Sequence, residues 1–240
     1  MTTNLDLIRT AAVAPLGATN IVMILDRSGS MEGRGSDVIG GFNSFVSSCR
    51  DANIANCSVT YIRFDNEVER VFTEPLDAVP AMTAQLYQPR GGTALLDAVG
   101  QTVGGMTNEP DDRYIVITFT DGEENSSREW TREKVAALLR EREALGNWTF
   151  AFFGAEMDAW EEAGGMGYGA GNAKSHARGA ASDMMRATGR VASVMSRSSM
   201  KSSRTYGDAV QEAVQRADVS DTEIERILAD GEGSPDRAGQ

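Results

Sequence analysis

The chain has 240 residues, of which 41% are hydrophobic and 24% charged, and it carries a formal net charge of −12. That length allows one large domain with tails or two small ones, with enough apolar material for a sizeable core. The acidic balance argues against broad binding to nucleic acid or anionic membranes, no stretch is long enough to span a bilayer, and the start Met1-Thr-Thr-Asn-Leu-Asp lacks the basic region of a secretory signal, so a cytoplasmic location is expected.

Residues 1–18 read as an N-terminal arm. The first strand follows near Asn20–Leu25, where an unbroken apolar run implies cover on both faces. Val38, Phe42, Phe45, Val46 and Cys49 fall at helical spacing on one stripe. Cys49 and Cys57 are too few for a disulfide framework and read as core thiols. Val59–Phe64 and Val68–Thr73, joined by Asp65-Asn66-Glu67, predict a hairpin and hence one antiparallel edge strand, with Asp65 a turn residue rather than a ligand. Leu95, Leu96, Val99, Val103 and Met106 predict a helix closed by Gly104-Gly105 and Pro110.

Tyr114–Thr120 is a second dense apolar strand. Ser126 and Glu129 have capping-box spacing ahead of the apolar positions Val135, Leu138, Leu139 and Leu145, and Gly146 stands where a C-terminal cap belongs. Trp148–Phe153 predicts a further strand. Beyond it, Gly164–Gly171 is too rich in glycine for regular structure, and no final strand is legible. A helix follows around Ala177–Ser196, with Met184, Met185 and Met195 as core filler. Gly207–Ala217 and Ser220–Asp230 predict short helices that must dock, since neither carries enough apolar surface to fold alone. Gly231–Gln240 has the composition of a disordered tail. Strands alternating with helices predict an α/β fold, a Rossmann-like, doubly wound, mostly parallel sheet with helices on both faces.

The chemistry concentrates where the two densest strands stop. Ile21–Leu25 ends in Asp26-Arg-Ser-Gly-Ser30, and strand alternation points Asp26, Ser28 and Ser30 the same way at the mouth of a parallel sheet, where open α/β folds bind ligands. Thr93, in Arg90-Gly-Gly-Thr, and Asp121, after the run Ile115–Thr120, complete a set of hard oxygens. Such a set suits Mg²⁺ or Mn²⁺, and Ca²⁺ less well. Three of these five residues are neutral hydroxyls, so the ion is held by two carboxylates and keeps an open position.

These residues resemble the metal-ion-dependent adhesion site of von Willebrand factor type A domains, whose pattern is Asp-x-Ser-x-Ser, then Thr, then Asp. Asp26, Ser28, Ser30, Thr93 and Asp121 match it in order. The chain is most similar to small stand-alone bacterial and phage members, which also carry Gly41-Phe-Asn-Ser-Phe45, Gly91-Gly-Thr-Ala-Leu-Leu-Asp-Ala98 and Phe153-Gly-Ala155. The likeness places the domain at 19–206 and the short helices and tail at 207–240. It implies a non-catalytic module whose metal bridges to an Asp or Glu of a partner protein, such as an AAA+ ATPase or another assembly component. The expected rim of that contact is Arg27, Met31, Glu32, Arg90, Glu123 and Glu124.

Two other classes stand beside this one: a structural subunit of a phage particle or other assembly, and a Mg²⁺-dependent phosphoryl-transfer or hydrolytic enzyme. Against the enzyme stand the lack of a P-loop and of any histidine near the motifs, since His176 is the only one. Lys174, Arg178, Arg186, Arg190, Arg197, Lys201 and Arg204 make the late segment basic, yet no aromatic residues interleave them as a stacking platform for nucleic acid requires. They are expected to form a solvated face that meets the acidic remainder of the molecule.

Overall fold

The computed structural model describes residues 17–121, 123–155, 159–176, 180–216 and 218–230. The expected N-terminal arm up to residue 16, the expected tail at 231–240 and the expected helix start at Ala177 lie outside the described residues.

Successive side chains of a strand point to opposite faces, so the apolar run of strand β1 (Thr19–Asp26) has to be buried on both. Ile21, Met23 and Leu25 pack into one core cluster, and Val22 and Ile24 into a second behind it. Strand β4 (Arg113–Thr120) divides in the same way, Ile115, Ile117 and Phe119 to the first core and Tyr114 and Val116 to the second. These two strands lie side by side at the centre of a six-stranded sheet of order β3-β2-β1-β4-β5-β6. Here β2 is Cys57–Phe64, β3 Val68–Pro75, β5 Trp148–Ala155 and β6 Ala173–His176. Only β3 runs antiparallel, paired with β2 through the predicted hairpin.

Helix α1 (Gly35–Asp51) lies on the first face with the predicted stripe Val38, Phe42, Phe45, Val46 and Cys49 wholly buried. Helix α2 (Leu95–Gly104), α3 (Arg132–Ala144) and α4 (Ala159–Gly165) accompany the second core. Helix α5 (Ala181–Arg197) packs on α1, burying Met184, Met185 and Met195 as expected. The short helices α6 (Tyr206–Gln215) and α7 (Asp221–Ala229) dock on the domain itself, and Tyr206, Val210, Ile224 and Leu228 enter the same core as α1 and α5. The Ser220 hydroxyl accepts from the Glu223 N–H, as the capping-box spacing predicts. No helix among the described residues is long and apolar enough to cross a membrane.

Chain direction then creates the site. From β1 the chain leaves through α1 on one face towards β2, and from β4 it leaves through α3 on the other face towards β5. The loops after β1 and β4 therefore diverge, leaving a crevice at the C-terminal ends of the two central strands.

Three expectations need correction. A final strand does exist: β6 is four residues long and pairs with β5 alone, too short and too polar to show a pattern in Ala-Lys-Ser-His. Helix α3 begins at Arg132 with Thr131 as its cap, not at Ser126. The intervening loop is kept out of the helix because the buried Asp97 carboxylate accepts the N–H groups of Arg128, Glu129 and Trp130 at 2.8–3.0 Å. Glu124 likewise accepts from the N–H groups of Leu96, Ser126 and Ser127. Leu145 falls past the end of α3 and, at 51% exposure, is the one large apolar side chain left open among the described residues.

Asp97 is thus the anchor of the loop that follows Asp121. Asp97→Ala leaves three N–H groups without an acceptor and is expected to cost about 2–3 kcal/mol in urea unfolding. A loss below about 0.5 kcal/mol, the range of ordinary surface changes, would show that the loop is held elsewhere.

Candidate metal centre

Asp26 is the last residue of β1 and is 1% exposed. Its Oδ1 accepts the Ser28 N–H at 2.6 Å and its Oδ2 accepts the Thr120 hydroxyl at 2.6 Å. That second bond follows from register, since Leu25 pairs with Phe119 and the next residues along both strands face each other. The Tyr87 hydroxyl donates to the Asp26 carbonyl and fixes the backbone at the strand end.

The chain then turns through a short 3₁₀ segment, Gly29–Met31. The turn sets the Ser28 and Ser30 hydroxyls 2.8 Å apart, and the Ser30 hydroxyl donates to Asp121 Oδ1 at 2.7 Å. Asp121 follows β4, its side chain is 3% exposed, and its Oδ2 accepts from Arg34. Four of the five predicted ligands, Asp26, Ser28, Ser30 and Asp121, therefore share one network of oxygens across the two strand ends.

Thr93 is buried on the adjoining loop, and its hydroxyl is outside that network among the described residues. The loop abuts the serine turn through Gly29 N–H to Gly91 O at 3.0 Å and Arg90 N–H to Arg27 O at 2.7 Å. Thr93 itself is clasped by Asn125, whose side-chain oxygen accepts the Thr93 N–H while the Thr93 carbonyl accepts the Asn125 N–H. Gly91 has φ +70°, and a Cβ there would lie 2.3 Å from the Asn66 side chain, which is why the loop carries glycine before the threonine.

The expected rim is only partly a rim. Glu32, Arg90 and Glu123 are exposed at the mouth of the crevice. Arg27 and Met31 are instead buried, at 4% and 5% exposure, because Arg27 pairs with the buried Asp65 at 3.0 Å and Met31 enters the core. Glu124 is half-buried and engaged in holding its own loop. Asp65 is a turn residue, as expected, accepting the Glu67 N–H at 2.9 Å, and it also pairs with Arg90. Thr120, Tyr87, Asn125 and Arg34 were not identified from the sequence. Thr120 had a signal, being level with Asp26 on the neighbouring strand, whereas nothing in the pattern around Tyr87, Asn125 or Arg34 distinguishes them from loop residues.

The five predicted ligands are chemically uniform, two carboxylates and three hydroxyls, but the expectation that no histidine is near them needs correction: β6 brings His176, distant in sequence, into the cavity lined by Asp26, Thr120 and Asp121. Hard oxygens in this proportion fit Mg²⁺ or Mn²⁺. The basic residues of the late segment lie against acids, Lys174 with Asp208, Arg190 and Arg197 with Asp221, and Lys201 with Asp111. Arg178 lies outside the described residues.

No family model matches the chain, and no curated protein matches it in sequence. Among solved structures it is similar to a von Willebrand factor type A protein from Catenulispora acidiphila, at 14% identity and a TM-score of 0.54 over 74% of this chain and 43% of that one. It is also similar to proximal thread matrix protein 1 of the mussel byssus, at 15% identity and a TM-score of 0.54 over 74% of this chain and 46% of that one. The chain spans less than half the length of either. At such identities the likeness establishes the fold, that of a von Willebrand factor type A domain, and nothing about individual residues.

Burial pushes the Asp26 carboxyl up to about 6, against the hydrogen bonds from Thr120 and Ser28, and the neighbouring Asp121 charge pushes the same way. A carboxyl raised above its unfolded value binds its proton more tightly in the folded state. Between pH 4 and 6 the folded protein thus holds a proton that the unfolded chain has released, and stability falls as pH rises through that window. In cation-free buffer the wild type is expected to lose about 2 kcal/mol relative to Asp26→Asn between pH 4 and 6. Parallel pH–stability curves for the two proteins would contradict this.

Proposed function

We propose that this chain, which has the von Willebrand factor type A fold, is a non-catalytic, divalent-cation-dependent protein-binding module. The observation that carries the reading is the oxygen network linking Asp26, Ser28, Ser30 and Asp121 at the divergence of the two central strands. Two buried carboxylates on adjacent strand ends repel each other, and the one cation paired with them among the described residues, Arg34, reaches Asp121 and not Asp26. The hydroxyls of Ser28, Ser30 and Thr93 and the carboxylates of Asp26 and Asp121 are the groups that would hold Mg²⁺ or Mn²⁺. When bound, the ion supplies a Lewis-acidic coordination position open to a carboxylate from another protein.

The chain's own residues do the rest. Thr120 and the Ser28 N–H orient Asp26, Tyr87 pins the strand end, and the Asn125 clasp fixes the Thr93 backbone. Around the mouth, Glu32, Arg90 and Glu123 offer charges of both signs. Exposed large apolar side chains are scarce among the described residues, which favours selection of a partner by charge and by the carboxylate. Partners that fit are proteins presenting an Asp or Glu on a protruding loop, such as an AAA+ ATPase or another assembly component. The Ser28 and Ser30 hydroxyls are bonded to each other, and the Ser30 hydroxyl donates to Asp121.

Wild type, Thr93→Ala and Asp26→Ala are to be compared in Mg²⁺ and in chelator. Mg²⁺ or Mn²⁺ is expected to raise the melting temperature of the wild type alone. A protein partner is expected to be recovered only by the wild type and only with cation. Equal recovery by all three folded proteins in chelator would overturn the bridging role.

A further inference from the structure

The Asp121 carboxylate already has a cation. Its Oδ2 accepts from the Arg34 guanidinium, while its Oδ1 is held by Ser30. Arg34 occupies the N-cap position of α1, makes no capping hydrogen bond there and places a positive charge at the positive end of the helix dipole. Helix stability therefore does not explain an arginine at this position, but the pairing with Asp121 does. The same short turn that presents Ser28 and Ser30 delivers the guanidinium. Gly33, with φ +85°, reverses the chain, and the Arg34 N–H returns to the Met31 carbonyl at 3.0 Å.

Arg34 also differs from the other arginine beside the site. Arg27 is sealed in at 4% exposure, whereas the Arg34 side chain is 23% exposed and enters from the mouth. It can leave without disturbing the core. Three residues along α1, Asp37 lines the same small cavity of about 20 Å³ as Arg34 and Asp121, and its carboxylate has no ion pair among the described residues. A guanidinium released from Asp121 has an acceptor one helical turn away.

We infer that Arg34 is an internal counter-cation that occupies Asp121 in place of a divalent ion, so that metal loading requires its displacement. Arg34 then sets the affinity of the centre and ties its occupancy to the position of the turn and the first residues of α1. This inference rests on the metal reading above and concerns the regulation of that same centre. A single flexible cation on one ligand is enough to lower affinity while keeping the two buried carboxylates from repelling each other in the metal-free protein.

The test is Mn²⁺ titration by calorimetry and by loss of the free-ion paramagnetic resonance signal, on wild type, Arg34→Met and Arg34→Lys. Methionine keeps the apolar stem and removes the charge, and lysine keeps the charge without the planar fork. Arg34→Met is expected to bind Mn²⁺ at least about tenfold more tightly than wild type, the equivalent of one charge-assisted hydrogen bond, with Arg34→Lys between them. In the wild type, the Arg34 Nη1 protons, which donate to Asp121, are expected to exchange slowly without metal and quickly with it. A silent wild type beside a binding Arg34→Met would support the displacement and overturn the metal-dependent module. Equal or weaker binding by a folded Arg34→Met would overturn the inference and leave the metal reading standing. Absence of binding in every protein would overturn both.

Discussion

Everything near the crevice answers one electrostatic problem, two carboxylates buried at the ends of adjacent strands. Asp26 is 1% exposed and the Asp121 side chain 3%. Removing a carboxylate from water is unfavourable by several kcal/mol unless hydrogen bonds and opposite charge compensate it. Thr120 and the Ser28 N–H do part of this for Asp26, and Ser30 and Arg34 do it for Asp121. The compensation is incomplete at Asp26, whose carboxyl burial still pushes up to about 6. On the proposed reading, that residual strain is what a bound divalent ion would relieve.

The sheet determines why this problem sits where it does. Placing β1 beside β4 and sending their loops to opposite faces brings residues 95 positions apart in sequence, Asp26 and Asp121, to one edge. The surrounding loops are fixed by buried charge of their own. Asp97 and Glu124 gather backbone N–H groups of the loop after Asp121, and Asp65 takes Arg27 and Arg90 on the other side. The walls of the centre are therefore held by buried polar bonds, while the arginine on Asp121 is 23% exposed. Walls held in this way around one displaceable group are what a cation-controlled contact needs.

Much of this was legible in the sequence because burial leaves a pattern. Ile21–Leu25 and Ile115–Phe119 could be read as doubly covered strands since both of their faces are apolar, and the α1 stripe since its period is helical. Asp26 and Asp121 could be placed at the mouth of the sheet because each marks the end of a strand whose type was clear. What escaped detection is short or held by polar bonds. Strand β6 has four residues and one neighbour, and the delayed start of α3 depends on a carboxylate, Asp97, some thirty residues earlier in the chain. The burial of Arg27 was invisible for the same reason, since its cover is a single distant ion pair with Asp65. Local pattern carries no trace of such long-range polar contacts.

The central claim is that these strand-end oxygens converge on a divalent cation. Its most direct test is an anomalous difference map from a crystal grown or soaked in Mn²⁺. The account predicts a single strong peak at the ends of β1 and β4, within coordination distance of the Ser28 and Ser30 hydroxyls and beside Asp26 and Asp121, with the Arg34 guanidinium moved off Asp121. A map with no peak there, and Arg34 still seated on the carboxylate at saturating Mn²⁺, would contradict it.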